Sequence, residues 1–451
     1  MKKLKIPIVP IIIALLLPAS LKAQMDERNI NSATENYVQP SGSFHILKIR
    51  KSYVLGDGVT VRSANGFLNM TQSLQTLYSF DTKEKNLSDI NSTFSISRAR
   101  LSVSANIFDK RCYVYGRINF PANFQSTTSG TRSFNTVLQE AYFEFRPSIV
   151  HSFNFGLRAD YIDSRETRIE GESLGFINRS AVSGSFDAIF DYGIRYRGIY
   201  KLGGRHLLRP YISITTGDSR SASQKNFGGF RYGIRIDYLP FDKFSRGGEY
   251  YMDDLAREEK PKLVVGIVYN YNNGASSATG TNGGRYIYGD INQKIILPNY
   301  SKFGVDYLFK YRGFYSLGSF VSTRASVPIG ITGEFRLNGR FIPYNTSQTN
   351  EQTKNTVLSR LNLGTGINLQ SGYVLPNNWA LGARYSKLKA SQVSDNFADY
   401  DRYYTLVVSK YLSGHNLKVQ AEIGFDELKN ELQTATLTRN YYAQMLLTLQ
   451  L

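Results

Sequence analysis

The feature that most constrains this chain is its rhythm of connections. From residue 66 onward, strand-like runs are separated by connections that alternate between short and long. The runs are 66–80, 93–108, 111–120, 135–146, 150–159, 187–201, 206–216, 229–240, 262–272, 301–311, 314–324, 358–372, 377–389, 402–412, 416–427 and 440–451. Roughly 9–11 residues suffice to cross a bilayer as a tilted strand. Short connections include Asp109-Lys110, Pro147-Ser148-Ile149, Leu202 to Arg205, Arg312-Gly313, Tyr373 to Pro376 and Ser413-Gly414-His415. Long ones include 81–92, 121–134, 160–186, 217–228, 273–300, 325–357, 390–401 and 428–439. Tight turns at one rim, long loops at the other and an even strand number are the layout of a membrane barrel. One connection departs from the rhythm. Segment 241–261 is long where a short turn belongs, and a brief helix is expected at Asp253 to Glu259.

The runs themselves alternate with period two. In 97–107, Ala99, Leu101, Val103, Ala105 and Ile107 share one face, opposite Arg98, Arg100, Ser102, Ser104 and Asn106. In 416–426, Leu417, Val419, Ala421, Ile423 and Phe425 oppose Lys418, Gln420, Glu422 and Asp426. The last run sets Tyr441, Ala443, Met445, Leu447, Leu449 and Leu451 against Tyr442, Gln444, Thr448 and Gln450. Half-buried soluble strands also alternate, so the pattern alone leaves a soluble all-β protein open. A soluble sandwich gives no reason for sixteen long runs with strictly alternating connections. Aromatics make up 13% of the chain, and no run after residue 23 is apolar enough for a membrane helix. The expected fold is an all-β, 16-stranded antiparallel transmembrane β-barrel over 66–451.

The N-terminus reads as a signal peptide at 1–23. Lys2, Lys3 and Lys5 precede an apolar stretch from Ile6 to Leu17, with cleavage expected after Ala23. Residues 24–65 are polar and irregular, and are expected to form a periplasmic N-terminal extension. The one cysteine, Cys112, excludes an intramolecular disulfide, so a secreted chain must draw stability from elsewhere. A closed ladder of strands supplies it. The formal net charge is +18. The leader removes Lys2, Lys3, Lys5 and Lys22 but no acid, so the remainder stays strongly basic. In a secreted barrel such a charge suits an anion path or anionic lipid headgroups rather than nucleic acid.

At this point a family resemblance appears. The stretch Ser97 to Phe120 (SRARLSVSANIFDKRCYVYGRINF) resembles the first full hairpin of the phosphate-selective porin O/P family. Leu138 to Pro147 (LQEAYFEFRP) followed by Phe153 to Arg158 (FNFGLR) resembles the next. Gly175 to Ser180 (GFINRS) is similar to a loop motif of the family. Tyr238-Leu239-Pro240 and Arg257 to Leu263 (REEKPKL) look like its Bacteroidota branch. The chain departs from the family at Gly156 to Ile162, which lacks the usual proline, and ends in Leu451 where barrels more often carry Phe. The resemblance implies a porin in the outer membrane of a Gram-negative bacterium, in contact with lipid, with no cofactor and in a homotrimer. It also implies passive diffusion of small hydrophilic solutes, with phosphate among the candidates.

Strand parity assigns the lumen. Arg98, Arg100, Arg117, Arg158, Arg195, Arg197, Arg231 and Arg235 are the expected anion pathway, with Arg209 and Arg384 on the same face. Guanidinium is a weakly hydrated fork that suits phosphate and carboxylate. Glu140, Glu144, Asp160, Asp187, Asp191, Asp237 and Asp306 share that face, so cross-strand ion pairs on a wet wall are the competing reading. The loop 160–186 is the expected constriction. It carries Arg165, Arg168, Arg179, Glu166 and Glu170 beside Asp163 and Glu172; an ordinary surface loop is the alternative. Phe120, Phe143, Phe145, Tyr238, Phe241, Trp379, Tyr385 and Tyr411 are expected in interfacial girdles.

Other functions fit less well. A barrel hydrolase needs a His beside a nucleophile, and His45, His151, His206 and His415 fall before the barrel or near short turns. Scattered His and one Cys make no metal site. A plugged receptor needs a larger N-terminal domain than precedes residue 66. A structural or adhesive barrel without transport stays open.

Overall fold

The computed structural model describes residues 54–63, 66–83, 86–107, 111–120, 138–159, 162–188, 190–217, 227–279, 286–336, 338–391, 400–429 and 437–451. The leader, most of the extension and His45 lie outside them. All sixteen expected wall strands are present. They run through β2 (Gly66–Lys83), β3 (Asn86–Ile107), β4 (Cys112–Asn119), β5 (Leu138–Phe145), β6 (His151–Ala159) and β7 (Phe190–Gly198), which continues as β8 (Tyr200–Gly203). They continue through β9 (His206–Thr215), β10 (Arg231–Leu239), β11 (Lys262–Asn272), β13 (Asn299–Tyr311) and β14 (Phe314–Ser326). The wall ends with β17 (Gly364–Val374), β18 (Trp379–Ala390), β19 (Tyr400–Ser413), β20 (Leu417–Lys429) and β21 (Leu437–Gln450). Each pairs antiparallel with the next, and β21 returns to β2 from Ser73↔Gln450 to Lys83↔Asn440, closing a 16-stranded barrel. Closure removes the free sheet edge, so the paired wall amides need no water.

Outside the wall, β1 (Val59–Ser63) folds back as a hairpin on the start of β2. The small sheet of β12 (Ile287–Gly289), β15 (Gly333–Phe335) and β16 (Phe341–Pro343) sits in two long loops. The helix Asn350–Ser359 joins it, where sequence reading expected loop. Thr349 and Gln352 close a capping box at its start. That helix moves the start of β17 to Gly364, later than the run beginning at 358 had suggested.

The strands form an inside-out protein. In β10 the buried face is Arg231, Gly233, Arg235, Asp237 and Leu239, while Tyr232, Ile234, Ile236 and Tyr238 are exposed. In β20 the buried residues are Lys418, Gln420 and Glu422, whereas Ile423 is 52% exposed. A water-soluble strand would reverse this. An apolar exterior over a charged interior is stable where lipid covers the outside, each Leu, Ile, Phe or Val gaining about 0.3–0.6 kcal/mol there. Short turns close one rim. In the Arg312-Gly313 turn both residues have positive φ, 50° and 92°, the two-residue hairpin geometry that matches strand twist. Phe120, Phe143, Phe145, Tyr238 and Phe241 are exposed as a girdle requires. Tyr411 is not: inward parity on β19 buries it in the lumen, where its hydroxyl bonds the Asp253 carboxylate.

Candidate functional site

The loop between β6 and β7 enters the barrel. It is built from two short helices, Arg165–Arg168 and Ala181–Phe186, and a single 3-10 turn at Gly171–Ser173. The Glu166 carboxylate accepts from Ser180 N and Ser180 Oγ at 2.7 and 2.6 Å, fastening the two arms together. Outward ties reach opposite walls. Glu172 accepts from Ser73 on β2 and Arg100 on β3. Arg165 and Arg168 reach Asp306 on β13 and Asp237 on β10. Lys418 and Gln420 on β20 donate to the Leu174 and Gly175 carbonyls, and Arg384 on β18 to that of Asn178. A loop bonded to walls on all sides lies across the lumen.

A second segment enters from the other rim. Residues 241–261 fold inward instead of making a turn. Lys310 on β13 donates to the Gly248 and Asp253 carbonyls at 2.8 and 2.7 Å. Met252 and Phe244 join Ile169, Leu174 and Phe176 of the loop in one apolar core with Leu308, Tyr315, Leu317 and Tyr411. The two inserts touch where Met252 N donates to the Ser173 carbonyl at 3.1 Å. The helix expected at Asp253 to Glu259 is absent. The Asp254 carboxylate instead accepts from Glu258 N and Gly313 N, and Arg257 takes positive φ. His415, in the turn after β19, is buried against the rings of Tyr251 of this insert and Tyr411 of β19, while His151 and His206 bond Tyr196 and Tyr238.

One flank of the loop is filled with ion pairs. Arg235 binds Asp306 through two nitrogens at 2.7 and 2.5 Å and Asp237 at 2.7 Å. Arg165 meets Asp237 at 2.8 Å, Arg168 the same carboxylate at 2.8 Å, and Lys302 bridges Asp163 and Asp187. Arg231 reaches Asp163 at 3.4 Å. Removal from water costs several kcal/mol per ion, and only mutual pairing of this quality offsets it.

The other flank is open. A cavity of about 550 Å³ lies between the loop and β3 to β6, lined by Arg98, Arg100, Arg117 and Arg158 from the wall and Arg168, Glu170 and Arg179 from the loop. Tyr113, Tyr115 and Tyr142 face it as well, and Tyr250 of the second insert closes one side. Arg117 meets Glu170 at 2.5 Å and Glu140 at 3.5 Å, and Arg158 meets Glu144 at 3.1 Å. Arg98 and Arg179 differ. Arg98 donates to the Gln75 amide at 2.6 Å, and Arg179 to the Glu166 and Ile169 carbonyls. Neither meets a carboxylate within 4 Å among the described residues. Gly171 lets the loop pass close by, since a Cβ there would come within 2.7 Å of Arg98 Nε. In the loop, burial and the like charge of Arg100 push Arg179 below its usual pKa despite nearby acids. Burial opposes ionisation of Glu172, but Arg100 and Arg117 outweigh it and draw the carboxyl down to about 2.

The expected residues therefore divide. Arg98, Arg100, Arg117 and Arg158 border the cavity with loop residues Arg168, Arg179 and Glu170. Arg195, Arg231 and Arg235 are 1%, 3% and 0% exposed. Arg195 binds the Gly156, Arg158 and Asp191 carbonyls, and Arg197 leans on Glu144 at 3.5 Å. Arg165 and Glu166 are enclosed within the loop's contacts. Sequence reading missed the tyrosines and the inward course of 241–261. The tyrosines share inward parity with Arg117 and Glu140, a signal that was there to use. Among the described residues no cluster of His, Cys, Asp and Glu could hold a metal.

No protein-family model matches the chain, and no curated protein does. Solved structures do. OprB of Pseudomonas putida is 9% identical with a TM-score of 0.52, covering 85% of this chain and 94% of its own. An anion-selective porin from Comamonas acidovorans is 9% identical at TM-score 0.51, covering 86% and 100%. Salmonella typhi OmpF, in complex with daunomycin, is 10% identical at TM-score 0.50, covering 87% and 100%. At such identities the likeness is one of fold: this chain has the barrel architecture of the outer-membrane porins.

Proposed function

We propose that the protein is a porin of a Gram-negative outer membrane, through which small hydrophilic solutes diffuse passively with a preference for anions. The observation that carries this reading is the pair Arg98 and Arg179, guanidiniums at the open cavity without a carboxylate beside them among the described residues. Fixed positive charge in a narrow wet passage lowers the barrier for anions and raises it for cations. Forked donors further favour oxyanions, so phosphate belongs among the solutes to test. The apolar exterior supports lipid contact. The leader at 1–23, the periplasmic extension at 24–65 and a homotrimer complete the reading, on the sequence and its family resemblance.

The test is the reversal potential of the purified protein in a planar bilayer across a KCl gradient. Preference for chloride is expected. Arg98→Ala with Arg179→Ala should lower the chloride-to-potassium permeability ratio by roughly several-fold, the effect of removing two fixed charges that no acid pairs with. An unchanged ratio would sink the anion reading. A second reading rests on the apolar core formed where the two inserts meet inside the barrel: a structural barrel with a closed lumen. Absence of any conductance would favour it.

A further inference from the structure

Resting on the anion reading above, we infer that the solute is a ring-bearing organic anion, a small carboxylate or phosphate attached to an aromatic or sugar ring, and that Tyr113, Tyr115 and Tyr142 hold the ring.

Tyr113 and Tyr115 are successive inward residues of β4, and Tyr142 pairs with Tyr115 from β5. Their ring centroids lie 5.2 Å apart for Tyr115–Tyr142, 6.2 Å for Tyr113–Tyr142 and 6.3 Å for Tyr113–Tyr115, forming one continuous aromatic floor. The Tyr115 hydroxyl bonds Ser102 Oγ at 3.3 Å, which holds that ring in place. Each ring carries its own guanidinium: Arg146 at 5.4 Å from the Tyr113 centroid, Arg117 at 5.2 Å from Tyr115 and Arg158 at 4.2 Å from Tyr142.

A bare inorganic ion gains nothing from this floor itself. The face of an aromatic ring is electron-rich, so chloride or phosphate gains nothing from it. A ring stacked on the floor gains contact area, while the flanking guanidiniums satisfy its polar rim. The spacing fits such a solute. Arg117 lies two residues beyond Tyr115 along β4, about 7 Å at strand rise. That separation lets an anionic group sit among Arg98, Arg117 and Arg179 while its ring lies over Tyr115 and Tyr142. The cavity of about 550 Å³ falls in the range typical of small-molecule sites, about 300–1,000 Å³. The ring can be aromatic or a sugar, because tyrosine packs against either a flat π-face or the C–H face of a pyranose.

The test uses benzoate and glucuronate as the two ring acids, with acetate and inorganic phosphate as ringless controls. Binding to the intact detergent-solubilised protein is measured by calorimetry, and block of the KCl current in bilayers in parallel. Both ring acids, or one, should bind at least about tenfold tighter than acetate and phosphate, the scale of one good aromatic stack. Benzoate alone would assign an aromatic solute, and glucuronate alone a sugar acid. Tyr115→Leu with Tyr142→Leu should cut that preference to below about threefold, and Tyr115→Phe with Tyr142→Phe should restore it. Heat-dependent gel mobility checks that each variant has folded. Equal affinity for acetate and the ring acids would overturn the inference even with chloride preference intact. A ring preference that survives the Leu variants would overturn the assignment to these tyrosines. Loss of chloride selectivity in the unmodified protein, with ring preference retained, would overturn only the underlying anion reading.

Discussion

The two flanks of the inserted loop are made from the same residue types and behave in opposite ways. Towards β10 and β13, arginines and aspartates are sealed in mutual contact: Arg235, Asp237 and Asp306 are 0%, 0% and 2% exposed. Towards β3 to β6, arginines line a cavity, and Arg98 and Arg179 lean on amide and carbonyl oxygens instead of acids. Charge on an inner wall is thus no evidence of a pathway in itself. What matters is whether the loop covers it, because covered charge must be neutralised and uncovered charge is free to meet a solute.

The sharpest way to break this comparison is at Asp306. Asp306→Ala leaves Arg235 and Arg165 buried with half their acceptors gone. A loss of about 3–5 kcal/mol is expected, as for other buried pairs deprived of one partner. The denaturation midpoint in detergent measures it, and conductance should rise as the loop loosens. A loss below about 1 kcal/mol would mean that water reaches this flank and that the two sides do not differ.

The same contrast explains what the sequence could and could not reveal. Strand positions were legible because alternation is local: Ala99 and Arg100 disclose opposite faces without knowledge of any partner. Even so, the run expected at 93–108 begins at Asn86, and a register shift at Gln75/Thr76 in the β2–β3 pairing moves the outward face from the parity of Ile107 to that of Phe94 and Ile96, which interrupts the alternation. Inward parity correctly grouped Arg98 with Arg235. It could not separate them, since Arg235 is covered by the Asp163 carbonyl of the inserted loop and shares Asp306 with the loop's Arg165, while Arg98 rests on Gln75, and these contacts are remote in the chain. The second insert announced itself only by length. Its burial depends on Lys310 and Tyr411 meeting Asp253, contacts that no local pattern encodes.

Glu172 stands at the boundary between the flanks and offers the next test. Its carboxyl is bound by Arg100 through both oxygens, at 3.0 and 2.9 Å, and drawn down to about 2. A glutamate in the unfolded chain takes up its proton near pH ~4.3. A depressed folded value means that the stabilisation is complete above the unfolded value and disappears as the pH falls towards about 2. Unmodified protein and Glu172→Gln should therefore differ by about 2 kcal/mol from neutrality down to about pH 5. The gap should close only on further acidification. Closure already near neutrality would place Glu172 with the wet flank.

The smallest effect is expected at Glu170, and it sharpens the comparison most finely. This residue also pairs with an arginine, Arg117 at 2.5 Å, but its side chain is 49% exposed on the cavity side. An exposed pair contributes less than about 1 kcal/mol, so Glu170→Gln should barely move the denaturation midpoint. Its effect should appear in selectivity instead. Removing a negative charge from a passage bordered by Arg98, Arg117 and Arg179 should raise the chloride-to-potassium ratio, though only on the order of twofold because salt screens the site. Stability unchanged with selectivity raised is the signature of a charge that solutes meet. The reverse result, a stability loss without a change in selectivity, would move Glu170 to the sealed flank and narrow the proposed passage to the arginines and tyrosines of β3 to β6.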